Sequence, residues 1–539
     1  MSIIPVNNAD LIVQTLQNAG VTHGFGIPSG NVLPMIDAMR RAGMEFVLTA
    51  HEGSASFAAD VMGRLTGKPG FCIATLGPGA TNLSTGVGSA YLDRSPMIAI
   101  TCNLNTPQLG RRIQMWIDHH ALFRPITKAT LSARHDNVAE VMREAISIAL
   151  AEPQGPVHID LPEDVSLAEA KGVAPVKVKA ATELPIADAA GIAKGSAIIS
   201  EAKRPLAVIG SSAMRMLDPQ KLRAFLEKHH IPFATTTMAK GLVDDKHPLA
   251  IGCIERGRRQ VQRSFIRSCD LIIGLGYDTI EVEYEAWSSD VPVLSLDIEP
   301  PDVAASVNLK GTVAGNLDDI LERMANIDTI NNSWDDTEIA AHRKYFQESL
   351  RPESKSFTPW QAIDVVRDVT PKDGILSFDV GAHTHQIASQ WSAHAPREFL
   401  VTNGWSSMGF GLPGAIAAKI ANPTKPVVCL LGDGCFQMTA GELATLRRMK
   451  LAVPVVVLDD RWLSLIQIKQ HKRQYEQYGS NVEPEPYRDP PSHYFNVPAI
   501  GVRNPDELRK ALEAAFKANG PTVIEAVVDG SHYFETVFD

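Results

Sequence analysis

The chain has 539 residues, of which 45% are hydrophobic and 21% charged, and its formal net charge is −10. One hydrophobic core stops growing at about 250–300 residues, so this length predicts two or three domains. The acidic balance argues against a nucleic-acid partner, which needs a concentrated basic surface. The sequence has no apolar run of about 18 residues, so we expect no membrane-spanning helix.

Six cysteines are spread along the chain, and none of them forms a Cys-x-x-Cys pair. Sparse cysteines inside apolar runs are typical of buried free thiols in a reducing compartment. The first residues carry no basic stretch followed by an apolar one, so no secretory signal is predicted. Together these features predict a cytoplasmic protein.

The first segment, residues 1–168, alternates helical and strand patterns. Residues 9–19 carry apolar side chains at helical spacing, and short apolar runs at 44–49, 71–75, 97–101 and 157–160 have strand length. Short strands separated by helical stretches are typical of a parallel α/β domain.

The same alternation restarts twice. A stretch rich in Ala, Lys, Val and Pro at 166–190 and a polar stretch at 328–358 are predicted to be linkers. They separate a second segment, 188–328, from a third, 358–539. Strands are predicted at 206–210, 271–276, 293–297, 375–378, 399–402, 427–431, 455–458 and 523–528, and a helix at 439–449. The predicted fold is therefore three consecutive α/β domains, each with a mainly parallel sheet.

The strongest chemical signal lies in the third segment. The strand at 427–431 runs into Gly432-Asp433-Gly434, and the strand at 455–458 runs into Asp459-Asp460. Both acidic sites then lie at the carboxyl ends of neighbouring parallel strands, where open α/β sheets bind ligands. Glycines let the backbone approach an anion, and a carboxylate can hold Mg²⁺ against phosphate oxygens. Taken alone, the tripeptide is equally consistent with a tight turn.

A second signal lies in the first segment, where His51-Glu52-Gly53 follows a predicted strand. Glu52 would begin a helix rich in small residues. Taken alone, this position is explained by the preference of carboxylates for helix N-termini.

These blocks resemble the thiamine-diphosphate enzymes of the acetolactate synthase, pyruvate oxidase and 2-keto acid decarboxylase type. The family motif begins Gly-Asp-Gly and ends Asn-Asn, and Asp433 and Asp460 have its spacing. Residues 77–82 read Gly-Pro-Gly-Ala-Thr-Asn, and residues 403–413 are similar to the family stretch that bends the cofactor. Four separate blocks occur in the family order across all three segments.

The resemblance implies a pyrimidine-binding domain, a central nucleotide-binding-like domain and a diphosphate-binding domain, with thiamine diphosphate and Mg²⁺ as cofactors. It places a Mg²⁺ site at Asp433, Asp460 and the main-chain carbonyl of Trp462. Glu52 would contact N1′ of the aminopyrimidine ring, and Met408 would be the apolar wedge between the two rings. The implied cofactor-binding residues are Glu52, Gly381, His383, Ser406, Met408, Gly432, Asp433, Gly434, Cys435 and Leu465.

The end of the motif departs from the family pattern. The family usually has Asn at both final positions, and this chain has Asp459 and Asp460. An extra carboxylate should tighten Mg²⁺ but repel the diphosphate when the metal is absent. We therefore expect cofactor binding to depend unusually strongly on Mg²⁺.

The catalytic candidates outside the cofactor motifs are less specific. Gln114 aligns with a pocket glutamine of acetolactate synthases, and His119-His120 lies where pyruvate-type decarboxylases have a histidine pair. Lys469 replaces a tryptophan of the biosynthetic synthases and is equally consistent with an acceptor-binding or a solvated lysine. Residues 252–257 lack the pattern of FAD-containing members, so FAD is not expected.

Three functions are consistent with the sequence. The first is decarboxylation of a small-molecule 2-keto acid, carboligation of the resulting acyl group, or both. The second is cleavage of a 2-hydroxyacyl-CoA or oxalyl-CoA, and the third is a non-catalytic cofactor-binding regulatory subunit. Intact Glu52 and Asp433 argue against the third. The family also implies a homodimer or homotetramer with active sites between subunits.

Overall fold

The computed structural model describes residues 6–170, 184–483 and 489–538. Each of the three predicted segments forms its own sheet, and all pairings but one are parallel, which confirms the α/β fold class. The central strands of each sheet are apolar and buried, as in β15 (Val427–Gly432), because helices cover both faces of a parallel sheet. Most of the first predicted linker, residues 171–183, lies outside the described residues.

The N-terminal domain contains a six-stranded parallel sheet of order β2-β1-β3-β4-β6-β5. Its strands are β1 (His23–Gly26), β2 (Glu45–Leu48), β3 (Gly70–Thr75), β4 (Met97–Asn103), β5 (Ala129–Ser132) and β6 (Pro156–Pro162). Its helices are α1 (Asn8–Asn18), α2 (Leu33–Ala42), α3 (Glu52–Thr66), α4 (Pro78–Leu92), α5 (His119–Phe123), α6 (Val138–Leu150) and α7 (Glu163–Leu167).

The central domain contains a second six-stranded parallel sheet, of order β12-β11-β10-β7-β8-β9. Its strands are β7 (Pro205–Ile209), β8 (Phe233–Thr235), β9 (Ala250–Cys253), β10 (Leu271–Leu275), β11 (Val293–Asp297) and β12 (Leu309–Ala314). Its helices are α8 (Ala189–Glu201), α9 (Pro219–His229), α10 (Arg259–Ile266) and α11 (Leu317–Met324).

The C-terminal domain contains a seven-stranded sheet of order β14-β13-β15-β16-β19-β18-β17, in which only β17 and β18 pair antiparallel. Its other strands are β13 (Ile375–Phe378), β14 (Phe399–Leu400), β16 (Pro454–Asp459), β17 (His493–Tyr494), β18 (Val497–Val502) and β19 (Thr522–Val527). Its helices are α13 (Pro359–Val369), α14 (Ala382–Gln390), α15 (Gly411–Ala421), α16 (Asp433–Thr439), α17 (Glu442–Arg448), α18 (Ser464–Lys472), α19 (Pro505–Lys517) and α20 (Tyr533–Thr536).

Two predicted elements differ from the structure. The second predicted linker, 328–358, contains helix α12 (Asp336–Ser349), which buries Ile339 and Phe346. Only these two side chains of the helix are buried, so its many charged residues led to the prediction of a linker. The predicted helix at 439–449 is interrupted, because α16 ends at Thr439 and α17 begins at Glu442.

The N-terminal and C-terminal domains share one hydrophobic core within the chain. Helix α3 packs on α15, and the rings of Phe57 and Phe410 meet edge to face with centroids 5.7 Å apart. Arg64 lies beside this contact, paired with Asp60 at 2.6 Å, and donates to the carbonyl of Val401 at 2.7 Å. Among the described helices, none combines the length and the apolar character needed to cross a bilayer.

Candidate active site

The two acidic motifs meet at one edge of the C-terminal sheet. Strands β15 and β16 pair in parallel with Gly432 opposite Leu458, so the residues after each strand are neighbours. The backbone N–H of Arg461 donates to Asp433 Oδ2 at 2.9 Å and also to Asp459. The chain therefore brings Asp433, Asp459 and Asp460 together, as the strand pattern predicts.

These carboxylates repel one another in a buried setting. Burial, with the neighbouring charges of Asp460 and Asp459, raises the pKa of Asp433 to about 8. Burial also raises the pKa of Asp460 to about 6, although its oxygens accept from the backbone N–H of Trp462 at 3.0 Å and from the hydroxyl of Ser464 at 2.6 Å. A divalent cation placed between such carboxylates would relieve this repulsion.

A cavity of about 240 Å³ opens beside these carboxylates. All of its lining residues within the described ranges belong to the C-terminal domain. It brings together every residue of that domain that the sequence predicted for cofactor or metal: Gly381, His383, Ser406, Met408, Gly432, Asp433, Gly434, Cys435, Asp460, Trp462 and Leu465. Residues as far apart in sequence as Gly381 and Leu465 thus line one cavity.

The loop that carries Met408 is held by a buried carboxylate. Asp379 accepts from the backbone N–H groups of Gly409 at 3.0 Å and Gly411 at 2.9 Å. Met408 lies close to Gly434, where an added Cβ would come within 3.3 Å of the methionine methyl carbon. Sequence reasoning missed Asp379, although its position directly after strand β13 is a signal that could have identified it.

Another part of the cavity wall is formed around His383. Its Nε2 atom is buried and has no hydrogen-bond partner among the described residues. Burial lowers the pKa of this imidazole to about 4, so the ring is neutral at physiological pH. An added Cβ would lie 2.6 Å from the ring at Gly381 and 3.0 Å from it at Gly432. The space beside Gly381 and Gly432, next to the unpaired ring nitrogen of His383, can therefore hold a polar group.

Glu52 lies at the start of α3, as predicted, but in the N-terminal domain and away from this cavity. The residue is 8% exposed, and its Oε2 accepts from Asn82 Nδ2 at 3.0 Å. His51 caps the helix by accepting from the backbone N–H of Gly53 at 3.0 Å.

Comparison with known proteins identifies the family to which this architecture belongs. The family description "Thiamine pyrophosphate enzyme" matches three parts of the chain: the N-terminal TPP binding domain at 6–122, the central domain at 192–324 and the C-terminal TPP binding domain at 379–526. The chain belongs to the thiamine pyrophosphate enzymes.

Several relatives extend over nearly the whole chain. A probable acetolactate synthase large subunit of Methanococcus aeolicus is 31% identical, with 98% of this chain and 92% of the relative covered. A probable acetolactate synthase large subunit of Methanocaldococcus jannaschii is 30% identical, with 97% and 92% covered. The acetolactate synthase isozyme 2 large subunit of Escherichia coli is 28% identical, with 97% and 96% covered. The protein is a thiamine-diphosphate-dependent enzyme of acetolactate synthase-like type.

The donor set of the cavity fits the cofactor of a thiamine pyrophosphate enzyme. Within the described ranges, no three His, Cys, Asp or Glu side chains surround one point as a complete metal site. Mg²⁺ bound to a diphosphate takes only one or two carboxylates from the protein, with phosphate and water oxygens as the other ligands. Asp433 and Asp460 supply that number, and Gly381 and Gly432 leave room beside the neutral His383.

The other catalytic candidates lie apart from the cavity. Gln114 is exposed in the loop before α5. His119 is 1% exposed, and its Nδ1 lies 3.0 Å from Asp160. The two ring nitrogens of His120 hydrogen-bond to the hydroxyls of Thr130 at 2.7 Å and Ser132 at 2.8 Å. Within the chain, both imidazoles therefore hydrogen-bond to residues of the N-terminal domain.

In the central domain, side chains of the protein itself cross the crevice in which such sheets bind nucleotides. The strand order reverses between β7 and β10, and ligands bind at the carboxyl ends of strands at such a point. There the backbone N–H of Ser211 donates to Glu281 at 2.7 Å, and Arg94 of the N-terminal domain reaches Asp278 at 2.5 Å. Burial raises the pKa of Glu281 to about 8.

Proposed function

We propose that this enzyme decarboxylates a 2-keto acid and transfers the resulting acyl group to an acceptor carbonyl, as an acetolactate synthase-like carboligase. The observation that carries this proposal is the cavity that brings together eleven predicted residues, among them Asp433 and Asp460. Relatives called acetolactate synthase match the chain from end to end, which supports this reaction over CoA-thioester cleavage. Intact Glu52 and Asp433 support an enzyme over a regulatory subunit.

Each wall of the cavity has a role in holding the cofactor. Asp433, Asp460 and the carbonyl of Trp462 would hold Mg²⁺, and the Gly381–His383 wall would receive the diphosphate. Met408, fixed through Asp379, would support the bent cofactor from below. Bound thiamine diphosphate supplies the electron sink needed to break and form bonds beside a carbonyl. The apolar side chains of Leu465 and Ile466 would exclude water from the reacting carbon.

We propose further that the acid–base group Glu52 reaches this cavity from a second subunit. Glu52 is the only predicted cofactor contact outside the C-terminal domain, and within one described chain it does not line the cavity. Apolar side chains near the cavity are exposed in the single chain, with Met438 at 64% and Ile466 at 42% exposure. A homodimer, or a homotetramer built from it, would cover them and complete the site.

We also propose that the enzyme works without FAD. The carboxylate of Glu281 occupies the backbone N–H of Ser211, where a nucleotide phosphate would bind in such a sheet. Arg94 crosses the same crevice to Asp278 and Glu299, so its guanidinium occupies part of the region at the strand ends that a dinucleotide would need.

The test is to incubate the protein with thiamine diphosphate, Mg²⁺ and a panel of 2-keto acids, and to measure CO₂ and identify the products. We expect CO₂ release that requires both cofactors, and a 2-hydroxyketone product from at least one donor. Asp433→Asn, which has the same shape without the charge, should lose this activity. Absence of CO₂ release from every 2-keto acid, combined with cleavage of 2-hydroxyacyl-CoA, would overturn the proposal.

A further inference from the structure

The N-terminal domain contains a hydrogen-bonded array below Glu52 that the proposed function does not use. Asn82, on the second turn of α4, donates to Glu52 Oε2 at 3.0 Å. The same helix approaches the other carboxylate oxygen, because an added Cβ at Gly79 would lie 3.4 Å from Glu52 Oε1. The start of α4 therefore hydrogen-bonds to one oxygen of the carboxylate and lies beside the other.

The start of α4 is anchored from below by a histidine. The backbone N–H of Gly77, which caps α4, donates to His119 Nε2 at 3.4 Å. Gly77 has a φ of +60° and lies so close to the carbonyl of Met115 that a Cβ would come within 2.5 Å of that oxygen. The close approach of Gly77 to Met115, and not the intrinsic preference of the backbone, therefore fixes the conformation of this turn.

Asp160 in turn fixes the imidazole. Because His119 Nε2 accepts from Gly77, the ring proton is assigned to Nδ1, which lies 3.0 Å from Asp160 Oδ1 and 2.9 Å from the hydroxyl of Thr101. Asn103 donates to both oxygens of Asp160, at 2.9 and 3.1 Å. Burial alone would raise the pKa of Asp160, but the hydrogen bonds from His119 and Asn103 hold it below its usual value. The carboxylate is thus charged and holds one tautomer.

We propose that Asn82, together with the His119–Asp160 pair that anchors its helix, positions Glu52 and determines which of its oxygens exchanges a proton with the cofactor. An amide nitrogen can only donate, so Oε2 stays an acceptor and the exchangeable proton rests on Oε1. This inference rests on the proposed function, in which Glu52 is the catalytic acid–base group. It gives His119 a positioning role in place of the contact with substrate that the sequence suggested.

The experiment follows the hydrogen on C2 of bound thiamine diphosphate, whose exchange for deuterium can be quenched with acid and read by NMR without any substrate. In Asn82→Ala, exchange should slow about ten-fold or more, because the hydrogen bond that orients Glu52 is lost. The affinity for thiamine diphosphate, measured by calorimetry, should change less than about three-fold, since Asn82 touches Glu52 and not the diphosphate wall. Ser84→Ala is the matched control, because Ser84 lies on the same helix and bonds only to the carbonyl of Thr81.

The lower part of the array is tested with Asp160→Asn. In the protein without cofactor, amide hydrogen exchange of the segment 77–82 should become faster, because His119 loses its fixed tautomer. Exchange at C2 should slow in this variant, yet the double variant with Asn82→Ala should be no slower than Asn82→Ala alone, since the two act in series.

Two results would overturn the inference. If Asn82→Ala exchanges the C2 hydrogen as fast as the wild type and Ser84→Ala, Asn82 does not position Glu52. If both effects are purely additive in the double variant, the His119–Asp160 pair does not act through Asn82. A wild-type protein that binds thiamine diphosphate without accelerating C2 exchange would overturn the proposed function and this inference together.

Discussion

The backbone N–H of Arg461 donates to Asp433 Oδ2 at 2.9 Å, which ties the turn after β16 to the turn after β15. This bond holds the carboxylates of Asp433 and Asp459 together beside Asp460 at the edge of the cavity. Their mutual repulsion is the physical basis for the first prediction.

Asp460→Asn should make thiamine diphosphate binding less dependent on Mg²⁺. Removing one negative charge lowers the repulsion of the diphosphate when the metal is absent, and it also weakens the metal site. Calorimetric titrations with and without Mg²⁺ should therefore give a smaller ratio of affinities in the variant. Asp368→Asn, at an exposed ion pair with Arg509, is the matched control. An unchanged ratio in Asp460→Asn would show that the carboxylate does not affect the metal requirement.

Glu52→Gln should abolish turnover while leaving the cofactor bound. The amide keeps the shape of the side chain but cannot exchange a proton, and positioned acid–base groups contribute about 10²–10⁴-fold to rates. CO₂ release per bound cofactor is the measurement, and Glu140→Gln, on the exposed face of α6, is the control. A variant with more than about half of the wild-type rate would refute the assignment of Glu52 as the acid–base group.

How far the sequence predicts the site depends on the range of the contacts. The Gly432-Asp433-Gly434 turn and the Asp459-Asp460 pair could be placed together, because strand ends and spacing are local properties. Asp379 was missed because its partners, the backbone N–H groups of Gly409 and Gly411, lie 30 residues away and carry no side-chain signal. The contact between His119 and Asp160 could not be predicted, because the two residues are 41 positions apart in sequence.

Titration of the enzyme with FAD should give no saturable quenching of flavin fluorescence. Glu281→Ala should still lower the melting temperature, because the partly buried N–H of Ser211 loses its acceptor. Glu281→Gln retains an acceptor oxygen and should lose less stability. Stoichiometric FAD binding by the wild type would contradict the proposal that the enzyme works without FAD.

Acid should destabilise the N-terminal domain through His158. This ring stacks on Phe123 and bonds to Thr101 and Thr130, and burial lowers its pKa to about 3. Because the folded pKa lies below the unfolded value of about 6.5, the unfolded chain binds the proton first, and stability falls as pH decreases from 6.5 towards 3.

His158→Gln removes this titration but retains hydrogen-bonding atoms. Its loss of melting temperature between pH 7 and pH 5 should be smaller than that of the wild type. Equal losses in the two proteins would show that another group controls the acid sensitivity.

The central claim is that Glu52 and Asp433 serve one cofactor from two different subunits, and subunit complementation tests it most directly. Glu52→Gln and Asp433→Asn are each expected to be inactive alone. After the two variants are mixed and allowed to exchange subunits, each mixed dimer would contain one site with both native residues. We predict recovery of about a quarter of the wild-type CO₂ release, since about half of the dimers are mixed and one of their two sites is intact. No recovery in a mixture shown to contain mixed dimers would place both residues in a site within one chain and contradict the account.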